Sequence, residues 1–216
     1  MLGPRLQAVA SFIRQGDRVA DVGTDHGYLP VWLVLSGVSP SAIASDINEM
    51  PLQRARDTAA RYGAENISFR LCAGLAGVAP GEADACVIAG MSGENMMGIL
   101  SAANWDWRGK RLVLQPMTKR HELLEWLYRQ GFHLAGERFA AEKGGLYRIF
   151  CVEWGPAPLP RPAHLWGGLT ETDYAHRQAA RLRRAVAGLK RAEAPDTEKI
   201  AAYMAVLEDM KDAYGW

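Results

Sequence analysis

Two hundred and sixteen residues and 23.7 kDa accommodate one α/β domain with a smaller appendage and exclude two full-sized domains. With 49% apolar, 23% charged and 9% aromatic residues the chain can bury a core, which excludes wholesale disorder. Twenty-five basic residues against 24 acidic ones leave a formal charge of +1, so any affinity for nucleic acid must come from local clustering.

The first residues, with Leu2, Leu6, Val9, Phe12 and Ile13 in an amphipathic pattern, predict a helix rather than a signal peptide. No apolar stretch approaches the roughly 20 residues that span a bilayer, so no membrane association is expected. Cys72, Cys86 and Cys151 are odd in number and far apart. They suggest neither a disulfide framework nor a metal site, and fit a cytoplasmic protein.

From residue 18 onward, short β-like runs alternate with helical stretches, the pattern of repeated βαβ units. Strands are expected over 18–22, 42–46, 67–71, 85–89 and 111–115, with helices over 29–36, 51–62, 93–101 and 119–130 between them. Two further runs, 132–138 and 147–153, have no helix between them, which predicts an antiparallel pair closing a seven-stranded sheet with the last strand inserted antiparallel. A first, α/β domain is thus expected over 1–153. Residues 154–163 carry prolines at 156, 158, 160 and 162 and read as an extended connector.

Beyond it, Ala175, Ala179, Leu182, Val186 and Leu189, then Ile200, Tyr203, Leu207, Met210 and Tyr214, recur at alternating spacings of three and four. They predict a coiled-coil helical hairpin over 164–216, broken at Ala194-Pro195-Asp196. The same seam suits a dimer, leaving monomer and weak homodimer both open. Across 171–192, six basic residues against two acids leave +4, and Arg177, Arg181 and Arg184 are candidates for phosphate contacts or for a plain solvated face.

The densest motif is Val19-Ala20-Asp21-Val22-Gly23-Thr24-Asp25-His26-Gly27-Tyr28-Leu29-Pro30, a strand running through a glycine turn into a helix. Glycine lets a ligand approach the backbone there, and a helix N-terminus offers unpaired N–H groups. Asp46, at the end of the next strand, stands where an acid accepts both hydroxyls of a ribose. The Asp21-x-Gly23-x-Asp25-x-Gly27 spacing is similar to the acidic-x-Gly-x-Gly-x-Gly pattern of class I S-adenosylmethionine methyltransferases, not to the GxGxxG of dinucleotide enzymes. Asp25 replaces the central glycine and is either a carboxylate beside the reacting groups or a helix cap. His26 reads as a hydrogen-bonded structural residue before a proton acceptor.

A second stretch, Val87-Ile88-Ala89-Gly90-Met91-Ser92-Gly93-Glu94-Asn95, follows the fourth strand, where the loops of a doubly wound sheet build the site. Gln115, before Pro116 at the end of the fifth strand, either offers an amide to a base edge or simply terminates the strand.

These stretches, with Arg5-Leu6-Gln7 upstream and residues 142–147 downstream, resemble the bacterial tRNA (adenine-22-N1)-methyltransferase family along nearly the whole chain. Residues 21–30 match that family's D-I-G-S-D-H-A-Y-L-P, residues 88–93 its I-A-G-M-G-G, and residues 112–116 its L-I-L-Q-P. The resemblance implies a Rossmann-like class I domain followed by the hairpin, S-adenosylmethionine as cofactor, and an adenine in the D-arm of tRNA as target. It implies Asp25 as the catalytic residue, and Asp21, Gly23, Thr24, His26, Gly27, Asp46, Ile47, Ala73, Gly74, Ala89, Gly90 and Met91 around the cofactor. Tyr28, Ser92, Gly93, Gln115 and Pro116 are then expected at the substrate, with Tyr28, Trp105 or Trp107 receiving the extruded base.

Three positions depart from the pattern: Ala73 stands in place of an acid, Met117 in place of an asparagine, and Ser92 in place of a glycine. They motivate two competing expectations, a non-catalytic RNA-binding protein with a degenerate methyltransferase fold and a methyltransferase for a small molecule or a protein amide. The last lacks the Asn-Pro-Pro-Tyr motif expected after the fourth strand.

Overall fold

In a computed structural model, which describes residues 2–216, the chain forms two compact units, one ending at Ala157 and one spanning Pro158–Trp216. The first unit runs α1 (Pro4–Ala10), β1 (Val19–Val22), α2 (Tyr28–Leu35), β2 (Ala42–Asp46), α3 (Glu49–Tyr62), β3 (Ile67–Leu71), β4 (Ala85–Ala89), α4 (Gly93–Ala102), β5 (Arg111–Gln115), α5 (Arg120–Arg129), β6 (Phe132–Glu142) and β7 (Gly145–Trp154). The strands form one sheet in the order β3-β2-β1-β4-β5-β7-β6. β1 to β5 are parallel, and β7 is antiparallel to both of its neighbours.

Strands covered on both faces read as continuous apolar runs, and Val19, Val22, Val87, Ile88, Val113 and Leu114 are accordingly buried. α1, α2 and the sheet share a core that includes Val9, Leu29, Leu33, Val87, Val113 and Ile149. β6 and β7 are longer than the sequence pattern predicts. They join through Lys143 and Gly144, both at positive φ (48° and 77°), the backbone a two-residue hairpin turn needs.

Trp105 and Trp107 are buried, and the Trp105 indole Nε1 donates to the Val78 carbonyl at 3.1 Å. Their rings continue through Phe132 to Trp154 at centroid spacings of 5.2–5.7 Å. Both tryptophans are therefore core residues, which corrects the expectation that they receive a base.

The second unit holds α6 (Pro162–Gly167), α7 (Thr172–Lys190) and α8 (Thr197–Tyr214). The proline run gives way at Pro162 to a short helix, since proline fits a first helical turn. α7 and α8 pair as a hairpin over a small core of Ala163, Ala175, Ala179, Leu182 and Met210. Asp196 stops the chain between them and caps α8, its Oδ1 accepting the Lys199 amide at 2.9 Å. No helix among the described residues is long and apolar enough to cross a membrane.

Candidate active site

The site grows out of the carboxyl ends of β1, β2 and β4, where the strand order reverses across the first strand. After β1 the chain turns at Gly23 (φ +78°) and again at Gly27 (φ +67°). A side chain at Gly23 would strike the Met91 methyl, and one at Gly27 would come within 3.0 Å of the Ala55 backbone in α3. The loop is clipped to β2 because the Gly23 and Thr24 amides both donate to the Ser45 carbonyl, at 2.8 and 3.0 Å. Beneath it lies Asp21. Burial lifts its carboxyl to about 6, the Thr24 hydrogen bond pulls the other way, and the negative charge of Asp46 adds to the rise.

A cavity of about 530 Å³ opens beside this turn. Six of the expected cofactor residues line it: Gly23, Asp46, Ile47, Ala73, Gly74 and Met91. Asp46 Oδ1 accepts the Asn48 amide at 2.8 Å, which fixes the carboxylate at the cavity edge. Gly74 (φ +57°) admits the close approach of Ile99, 2.9 Å from where a side chain would begin. Asp21 and Thr24 are buried, and they, His26 and Gly27 all lie outside the lining. Ala89 ends β4 and Gly90 follows it, with the Gly90 amide donating to the Gln115 carbonyl at 3.0 Å.

Sequence reasoning missed the opposite wall, where α4 contributes Glu94, Asn95, Gly98 and Ile99. The signal that could have found it is a helix face opening directly from the Gly90–Gly93 turn.

On the outer side of the loop Asp25 is exposed. Its carboxylate pairs with Arg54 of α3 and lies 3.3 Å from His26 Nε2. The His26 ring stacks on Tyr28 at 5.3 Å with an 18° interplanar angle. Gly27 is the residue that caps α2, and no side chain caps it, so Asp25 is not a helix cap.

Three expected substrate residues are occupied otherwise. Ser92 Oγ accepts the Asn95 amide at 3.2 Å and caps α4. Gly93 is buried against the Lys119 carbonyl, with no room for a side chain. Gln115 is fully buried: its Oε1 accepts from Arg5 Nη1 at 2.6 Å and its Nε2 donates to the Pro116 carbonyl at 3.2 Å. The amide therefore presents no edge to a base, and what it does is hold Arg5 at the ends of β4 and β5. Pro116 is buried beside it, and Glu142 Oε2 lies 3.5 Å from Arg5 Nε.

Arg177, Arg181 and Arg184 all project from the exposed face of α7 and form no ion pair among the described residues. Arg5, Arg14, Arg18, Arg54, Arg70 and Arg111, by contrast, are each paired with a carboxylate.

The cavity fits a nucleoside. Glycine backbone and the Met91 thioether lie at one end, the Asp46 carboxylate stands at the edge with an oxygen to spare, and Ile47, Ala73 and Ile99 offer apolar walls. A five-stranded parallel run extended by an antiparallel β7, with a glycine turn after β1 and an acid ending β2, defines a class I methyltransferase. The methyltransferase domain family accordingly matches residues 2–150. The tRNA (adenine(22)-N(1))-methyltransferase of Bacillus subtilis is 39% identical over 156 residues, a stretch covering 71% of this chain and 66% of that protein. Sp1610 of Streptococcus pneumoniae, solved in complex with S-adenosyl-L-methionine, is 31% identical and superposes with a TM-score of 0.81 over 99% of this chain and 100% of that one. The chain belongs to the tRNA (adenine-22-N1)-methyltransferase family. The crystal structure of the B. subtilis m1A22 tRNA methyltransferase TrmK agrees along the full length, at 28% identity and a TM-score of 0.88 over 99% of both chains.

Proposed function

We propose that this protein transfers the methyl group of S-adenosylmethionine to N1 of adenine-22 in the D-arm of tRNA. The observation that carries this reading is one loop with two faces: Gly23 lines the nucleoside-sized cavity, and Asp25 and Tyr28, a few residues on, are exposed. Asp46 holds the ribose, Ile47, Ala73 and Gly74 flank the cofactor's adenine, and Gly23 and Met91 border its other end.

When bound, S-adenosylmethionine supplies an electrophilic methyl on its sulfonium. The N1 lone pair of adenine is free, so a carbon–nitrogen bond forms as the carbon–sulfur bond breaks, with no proton removed first and the positive charge passing to the purine. Such a reaction needs placement and negative charge rather than a strong base. Asp25 meets that need. Arg54 and His26 hold it in place, and a carboxylate engaged by two partners keeps lone pairs to accept the exocyclic amine of the target. The target must leave its stack, at a cost of a few kcal/mol, and Tyr28 stands beside Asp25 to receive it.

Arg177, Arg181 and Arg184, which form no ion pair among the described residues, supply phosphate contacts. Leu182 and Met210 are buried within the hairpin itself, which supports a monomer as the working unit. A tRNA substrate puts the work in the cytoplasm.

The test incubates the protein with S-adenosylmethionine and two unmodified tRNA transcripts, one with A22 and one with G22. Nucleoside mass spectrometry should find 1-methyladenosine in the first alone. Equal methylation of both transcripts, or of neither while the cofactor binds, overturns the reading.

A further inference from the structure

α2 leads away from the reactive loop, and its outer face carries Tyr28 and Trp32 one helical turn apart, with Leu35 and Ser36 a turn further. Tyr62, the last residue of α3, closes the other side, and together they line a groove of about 280 Å³. Tyr28, Trp32, Leu35 and Tyr62 are 37–54% exposed. Large apolar side chains are scattered singly over most surfaces, so a contiguous group asks for an explanation. Of the strongly exposed aromatic residues in the first unit, only Trp154 lies outside this groove.

The composition selects the occupant. Leu2 and Val31 also line the groove but are buried, and of its exposed large side chains three of four, Tyr28, Trp32 and Tyr62, are rings, whereas an aliphatic or protein partner calls for branched side chains. No carboxylate lines the groove, and Arg61, next to Tyr62, is exposed without an ion pair among the described residues. Ring faces with no acid among them to repel phosphate are what an unstacked nucleobase needs, and they serve any base because every base has a π-face. The groove is also continuous with the reactive loop through Tyr28, whose ring is already stacked on His26 beside Asp25. A base extruded from an arm leaves its neighbour without a stacking partner, so a second aromatic seat is useful next to the first.

We propose that Trp32 and Tyr62 form a stacking seat for a nucleotide of the tRNA that flanks the target adenine. This rests on the tRNA reading above. The seat holds the substrate rather than reacting with it, so its loss falls on tRNA affinity and KM, not on the rate of methyl transfer at saturation.

The experiment compares the parent with Trp32→Ala, Trp32→Phe and Tyr62→Ala, using an unmodified A22 transcript as probe. Each alanine variant should bind the transcript about 5- to 150-fold more weakly, the range for removing one base stack. Trp32→Phe, which keeps a ring, should recover most of the affinity, and S-adenosylmethionine affinity should stay near that of the parent in every variant. Unchanged tRNA affinity in both alanine variants overturns the proposal. So does a loss that Trp32→Phe fails to recover, or a parent dimer that Trp32→Ala dissociates in sedimentation. Failure of the parent itself to methylate the transcript refutes the tRNA reading instead, so the two failures are distinguishable.

Discussion

Asp21 is sealed beneath the glycine turn, and burial lifts its carboxyl to about 6 from an ordinary 3.8. A carboxyl raised in this way binds its proton more tightly in the folded chain than in the unfolded one. The stability it permits is complete below pH 3.8, falls as the pH rises towards 6, and above that is lower by about 3 kcal/mol. Asp21→Asn keeps the shape and removes the charge, so its melting temperature should exceed the parent's at pH 7 to 8 and its stability should be flatter between pH 4 and 6. A series of circular dichroism melts across that range checks both. Asp25 is the opposite case, an exposed carboxylate that caps no helix and whose partner Arg54 is itself partly exposed. Removing such a pair costs at most about 1 kcal/mol of stability. Asp25→Ala should therefore melt close to the parent and bind S-adenosylmethionine normally, while its single-turnover methylation falls about 100- to 1,000-fold, the usual effect of removing one preorganised electrostatic partner. A parent-like rate at saturating tRNA would leave Asp25 without a chemical role.

At the scale of elements, Gly27 joins two helices. It caps α2 at φ +67°, and a side chain there would meet Ala55 at 2.9 Å. Gly27→Ala should lose about 2 kcal/mol or more, from left-handed strain and overpacking together. A thermal melt against the parent measures the loss. The five parallel strands lie at or within one residue of where the sequence pattern places them, because runs such as Ala85–Ala89, buried on both faces, cannot be polar. The inner ends of β6 and β7 were illegible for the converse reason: Ala141, Glu142, Gly145 and Leu146 read as a loop until the hairpin register pairs Ala141 with Leu146 and Glu142 with Gly145. α6 was hidden by the prolines around it. In the site, the glycine turn and Asp46 were readable because backbone approach and ribose recognition restrict residue choice. Ser92 and Gly93 misled because a helix cap and a tight packing contact demand the same small residues as a ligand loop. Arg5 carries a readable signal of its own, a charge one helical turn before the fully buried Val9 and thus on the covered side of α1.

Over the whole molecule, the sheet and the helical hairpin are units with separate cores, and on the proposed reading the hairpin adds phosphate contacts to the reactive loop and stacking seat of the first unit. Replacing Arg177, Arg181 and Arg184 together by alanine should leave cofactor affinity untouched and weaken tRNA binding, with the slope of log affinity against log salt becoming shallower by about 1 for each phosphate no longer neutralised. Filter binding at several salt concentrations measures that slope, and an unchanged one would take α7 out of the interface. The sheet has its own consequence for the order in which the chain assembles. β7 fills the place between β5 and β6, yet it is the last strand to leave the ribosome. Until it arrives, β5 presents Leu112, Val113 and Leu114 along an open edge, the kind of edge on which nascent chains aggregate. The tight turn at Lys143 and Gly144 shortens that exposure. β6 and β7 can zip together as a local hairpin and dock as one piece, so sheet closure requires a single long-range pairing step rather than two.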